Sequence, residues 1–112
     1  MGRQWRPESL EASAWRPPPG LSGPQRSAEQ DLAAGGRDRR LVRTASGETL
    51  ASVYFRRPSG RRVYGYLRWS DQGRTVERFV CEVDAATRAA NLAQAWRTAH
   101  QRGLLTGTAT RP

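Results

Sequence analysis

A small α+β domain, an antiparallel three- to four-stranded meander packed on one C-terminal helix behind a Pro/Gly-rich tail, is predicted by three features of this 112-residue chain. Between residues 40 and 83, short alternations of apolar and polar side chains are separated by turn-forming triplets. From residue 84, an Ala-rich run carries apolar side chains at helical spacing. Before residue 37, five of the seven prolines gather with Gly20, Gly23, Gly35 and Gly36 and few apolar side chains.

Residues 1–36 are expected to form a disordered tail. Pro17, Pro18 and Pro19 block regular structure, and the apolar surface is too small to offset the entropy of ordering. Glu29 to Ala34 allows one helical turn, which Gly35 and Gly36 would end. Trp-Arg-Pro occurs twice in this segment, beginning at Trp5 and at Trp15. These two tryptophans are read as docking anchors for a partner, because Trp and Arg dominate interface hot spots; the plain alternative is chance repetition in a biased composition.

Four strands follow, at about residues 40–45, 49–57, 62–70 and 75–83, with turns at Ser46-Gly47, Pro58-Ser59-Gly60 and Asp71-Gln72-Gly73. Connections this short suit antiparallel hairpins and exclude parallel crossovers. Asp84 is expected to cap a helix that runs to about Arg102, where Gly103 stops it. Its apolar stripe is Ala85, Ala89, Leu92, Trp96 and Ala99, with Arg88, Asn91, Thr98 and Arg102 largely off the stripe. The folded domain thus spans residues 37–105, and residues 106–112 read as a frayed tail.

Period-two alternation then assigns the sheet faces. Val53, Phe55, Val63, Gly65, Leu67, Trp69, Phe79, Cys81 and Val83 fall inside. Tyr54, Arg56, Tyr64, Tyr66, Arg68, Arg78 and Val80 fall outside. Gly65 interrupts the inner series where a bulky helix residue can approach, and Trp96 is placed over it.

Charge is unevenly spread. Eleven of the nineteen arginines lie between Arg37 and Arg78, opposed only by Asp38, Glu48, Asp71 and Glu77, so that stretch carries +7 of the total +9. Concentrated positive charge on a folded element points to a phosphate-bearing or acidic partner. Lysine and isoleucine are absent from the whole chain, a pattern that codon usage in a GC-rich genome explains without functional selection. Arginine nonetheless brings a planar fork that fits phosphate or a guanine edge.

Catalytic constellations do not assemble. His100 is the sole histidine and falls near the end of the helix, where a helix-end or solvated role is the simpler reading. Cys81, the sole cysteine, alternates inward as a core thiol and cannot form an internal disulfide. Glu82 and Asp84 could share a metal, but Asp84 is better explained as a helix cap. The expectation is a non-enzymatic protein without cofactor or metal. No apolar run approaches the roughly 20 residues needed to span a bilayer, and the start has no apolar signal core, so no membrane association and a cytoplasmic location are expected.

The run VYFRRPSGRRVYGYLRWSDQGRTVERFVCEVDAATRAANLAQAW, with Arg-x-x-Ser-Gly-Arg across its first hairpin and an Ala-rich helix after Asp84, resembles two kinds of small DNA-binding domain. These are the plant AP2 type and the arm-binding amino-terminal domains of tyrosine recombinases. Val63 stands where the plant domains usually have tryptophan. The resemblance implies that the exposed face of a three-stranded sheet enters a DNA major groove through Arg56, Arg57, Arg62, Tyr64, Tyr66 and Arg68. Read from charge and alternation, the nucleic-acid-binding set also includes Arg61 and Arg78. The alternative is a protein-interaction adaptor, such as a phage or mobile-element accessory factor, whose basic face docks an acidic partner.

Overall fold

In the computed structural model, which describes residues 10–58 and 60–106, the chain runs through α1 (Gly23–Ala34), β1 (Leu41–Thr44), β2 (Gly47–Leu50), β3 (Ser52–Arg56), β4 (Val63–Asp71), β5 (Arg74–Val83) and α2 (Arg88–Gln101). The class is α+β, as expected. Every hairpin is antiparallel, but the strands form two sheets: β1 pairs with β2, and β3-β4-β5 is a separate three-stranded sheet.

Ala51 causes the split. The single strand expected at residues 49–57 breaks there, because Ala51 is completely buried and its backbone turns toward Arg40: its N–H donates to the Arg40 carbonyl at 2.8 Å, and its own carbonyl accepts from Arg40 Nε at 3.0 Å. The turn between β4 and β5 follows its chemistry. Gln72 and Gly73 both have positive φ, at 54° and 80°, the two-residue primed turn whose twist matches that of the flanking strands.

The domain boundary expected at residue 36 is corrected, since residues 10–36 are built into the fold. Ser22 caps α1 in a capping box with Gln25, Pro24 occupies the first turn, and Gly35 closes the helix with φ 95°. Sequence patterning finds only the last turn of α1, at Glu29–Ala34, because little of the helix is apolar; a polar residue, Gln30, does the anchoring. Its buried side-chain amide donates to the Val53 carbonyl at 2.9 Å, and its oxygen accepts from Val53 N–H at 2.9 Å and from Trp96 Nε1 at 3.0 Å. One glutamine thus imitates a neighbouring strand along the free edge of β3 and ties that edge to α2. Trp5 and residues 107–112 lie outside the described residues, whereas Leu105 is a core residue at 1% exposure.

Helix α2 covers the inner sheet face with Leu92, Ala95, Trp96 and Ala99. Of the expected stripe, Ala85 lies before the helix and Ala89 is exposed, and three further details differ from expectation. Thr87, not Asp84, caps the helix, its hydroxyl accepting from Ala90 N–H. Ala95, not Trp96, sits over Gly65: a Cβ on Gly65 would lie 3.3 Å from the Phe55 ring and 3.5 Å from Ala95 Cβ, so the glycine permits close helix-to-sheet approach. Asn91, placed off the stripe by periodicity, is fully buried; its amide donates to the carbonyls of Ala14 and Ala85, and its oxygen accepts from Ala85 N–H. Among the described residues, no helix is long and apolar enough to cross a membrane.

Candidate nucleic-acid interface

Because α2 occupies one face of the three-stranded sheet, the other is left open among the described residues. Strand register decides what stands on it. Tyr54 pairs with Tyr66, Arg56 with Tyr64, and Ser52 with Arg68, so β3 and β4 present the tyrosines and arginines that alternation assigned to the outside. A bulge beside Gly65 and Tyr66 then shifts β5 by one residue: Gly65 pairs with Cys81, but Tyr66 pairs with Phe79, and Val80 is the extra residue. Arg102 secures the bulge by donating to the Phe79 and Val80 carbonyls at 2.9 and 2.8 Å.

The shift reverses the faces of the first half of β5. Val80, expected outside, is core at 3% exposure, and Phe79, expected inside, is 48% exposed. Arg78 pairs with Leu67 and so stands on the α2 side of the sheet, which corrects its assignment to the tyrosine face. Glu77 takes the place opposite Arg68. The signal lay in the sequence: Val76, Val80 and Val83 are spaced by four and three, which period two cannot accommodate.

The open face is a lattice of rings and guanidiniums. Tyr54 and Tyr66 stack with centroids 5.5 Å apart, and Phe79 meets Tyr64 and Tyr66 edge-on at 5.9 Å each. Arg56 lies 4.4 Å from the Tyr66 centroid and 5.4 Å from that of Tyr54, while Arg68 lies 4.4 Å over Tyr54 from the other side of the register. A guanidinium held by its flat face against a ring keeps in-plane N–H donors for a second partner. On Arg56 one of these is taken by Glu77 at 2.7 Å. Burial, followed by the Glu77 carboxylate, holds the Tyr54 phenol above its ordinary pKa, so it remains a neutral donor.

At one end of the lattice, the β3–β4 turn adds Arg57, Arg61 and Arg62, all exposed. Arg62 reaches Glu82 at 3.3 Å. Glu77, Glu82 and Phe79 are the members of this surface that sequence reasoning did not place there. Trp15 is not displayed in a free tail. It packs against the core, its carbonyl accepts from Arg88, and Arg57 lies 5.8 Å from its ring.

The remaining reactive groups lie elsewhere. Cys81 is half-buried, with its thiol pushed up by burial. His100 stands between α1 and α2, where burial and the nearby Arg39 hold its pKa below 6.5. Among the described residues, no group of three or more His, Cys, Asp or Glu side chains could hold a metal ion. Comparison with known proteins found no matching family model, no matching curated protein and no matching solved structure.

Proposed function

We propose that the protein binds nucleic acid, DNA in the first instance, non-enzymatically through the outer face of its three-stranded sheet. The observation that carries this reading is the pair of guanidiniums, Arg56 and Arg68, lying over Tyr54 and Tyr66 on a face that no element among the described residues covers. Arg57, Arg61 and Arg62 extend the positive field at one end, and two glutamates, Glu77 and Glu82, offset only part of it. Phosphate contacts supply affinity, and rings beside them supply stacking surfaces. The likeness to sheet-reading DNA-binding domains supports the same face. The exposed ring of Phe79 favours a second reading, an adaptor that meets an acidic protein, because an apolar anchor ringed by charge is typical of protein interfaces.

Replacing Arg56, Tyr66 and Arg68 together (R56Q, Y66A, R68Q) tests the proposal by fluorescence anisotropy on duplex DNA across a salt series. Two lost phosphate contacts flatten the slope of log affinity against log salt by about 1.8, at roughly 0.9 per contact. Arg43→Gln with Arg97→Gln, exposed but off this face, serves as the control and leaves the slope nearly unchanged. Equal losses from both variants would reduce the protein to a diffuse polycation. No binding by the native chain at low salt would replace the nucleic-acid reading with the adaptor.

A further inference from the structure

We propose that the cleft between the N-terminal segment, α1 and the edge of β3 is a binding site for a nucleoside phosphate, a flat base carrying an anionic group. The proposal stands apart from the sheet-face reading and shares Tyr54 and Arg68 with it. The cleft has a volume of about 460 Å³, within the range of small-molecule sites.

Five arginines line it, and they divide into two groups. Arg40 and Arg88 are already neutralised: Arg40 pairs with Asp31 at 2.6 Å, and Arg88 grips Glu29 with two donors at 2.8 and 3.0 Å. Arg16, Arg26 and Arg68 come from three different elements and are exposed, and among the described residues none has a carboxylate partner. Positive charge around the cleft is therefore left over after the protein's own pairs are made. Three permanently charged forks on the lining of one cleft suit a phosphate, which accepts charge-assisted bonds on several oxygens.

The walls between these arginines include aromatic rings. Trp15 and Tyr54, both half-buried, line the same cleft in front of the core residue Phe55, offering ring surface of the kind against which bases stack. Charge and rings thus call for different parts of one ligand.

Titration of the full chain with adenosine monophosphate, adenosine and inorganic phosphate, followed by indole N–H signals in ¹H–¹⁵N spectra, tests the site. Adenosine monophosphate is expected to saturate and to bind at least ~10-fold more tightly than either fragment, because ring and phosphate contacts act together. Trp15→Phe identifies the responding indole. The variant R16Q/R26Q, altered only at exposed positions, should keep its melting midpoint and lose roughly 10-fold in affinity, as expected for charge-assisted contacts. A 5′-phosphorylated trinucleotide separates the two sources of this chemistry: tighter binding at the same indole assigns the cleft to a strand end, and binding equal to the monophosphate assigns it to the free nucleotide. Equal affinity for inorganic phosphate and the monophosphate, no saturation, or an unaffected R16Q/R26Q variant would overturn the proposal. Because Arg16 and Arg26 are off the sheet face, failure here leaves the duplex-binding result intact, and failure there leaves this one intact.

Discussion

Arg40 and Arg56 each hold a carboxylate at near-ideal distance, 2.6 and 2.7 Å, yet their side chains are 5% and 49% exposed. The first sits between α1, the β1–β2 hairpin and the start of β3, and donates to Asp31, the Ala51 carbonyl and the hydroxyls of Ser27 and Ser52. The second lies on the open sheet face against two tyrosine rings. Depth, rather than the presence of a partner, separates their work. In water, Coulomb attraction is cheap and easily replaced; below the surface, each donor satisfies a group that has no other recourse. On the α1 side Arg40 and Arg88 serve the fold, while the outer sheet face keeps its arginines within reach of a ligand.

Removing the α1 side altogether gives the largest effect. A chain beginning at residue 37 lacks Gln30, Asp31, Glu29 and Trp15, and so leaves the Val53 peptide groups, Trp96 Nε1, Arg40 and Arg88 without their partners. Each buried group left unsatisfied costs about 1–3 kcal/mol, so these five come to ~5–15 kcal/mol, comparable with the whole stability of a domain. Thermal unfolding followed by circular dichroism should lose its cooperative transition. A truncated chain that still melts sharply would return residues 10–36 to the status of a dispensable tail.

Arg40 and Arg56 themselves sharpen the contrast. Arg40→Gln should destabilise by about 3 kcal/mol, the low end for breaking a buried pair, because Asp31 keeps some contact with solvent. Arg56→Gln should change stability by less than ~1 kcal/mol, as exposed pairs do. Urea denaturation measures both. Similar values for the two variants would mean that burial does not distinguish the two regions.

Much of this arrangement was legible before the structure. Tyr54, Arg56, Tyr64, Tyr66 and Arg68 fall on the open face as alternation assigns them, because β3 and β4 pair without interruption over those residues. What was hidden has two causes. Period-two reasoning assumes an unbroken strand, so one extra residue at the bulge exchanged Phe79 and Val80 and moved Arg78 and Glu77 to opposite sides. Hydrophobic patterning cannot see an element that docks through polar groups, and α1, Gln30 and Asn91 do so by hydrogen bonds to backbone in distant parts of the chain. The +7 counted between Arg37 and Arg78 misleads for the same reason, since it includes Arg37 and Arg40, both paired with Asp31 from outside that stretch.

The smallest effect concerns the α1–α2 seam, where His100 and Arg97, three residues apart on α2, line a groove together with Arg39. Burial first, and the Arg39 charge second, place its folded pKa below 6.5. The unfolded chain therefore takes up a proton at His100 before the folded one does, and stability falls as pH drops below 6.5 toward the folded value. Asp31 works in a lower window: its hydrogen bond from Arg40 is the largest influence and holds its pKa below 3.8, so its contribution is present above that value and fades only in stronger acid. Melting midpoints of the native chain should decline modestly from pH 7 to pH 5, while His100→Gln, which cannot take up that proton, should stay flatter over the same interval. Parallel declines in the two proteins would assign the acid sensitivity to carboxylates and remove His100 from it. A flat native profile would show that the imidazolium is tolerated at the seam, which would place that groove with the solvent-facing sheet surface rather than with the buried contacts of Arg40.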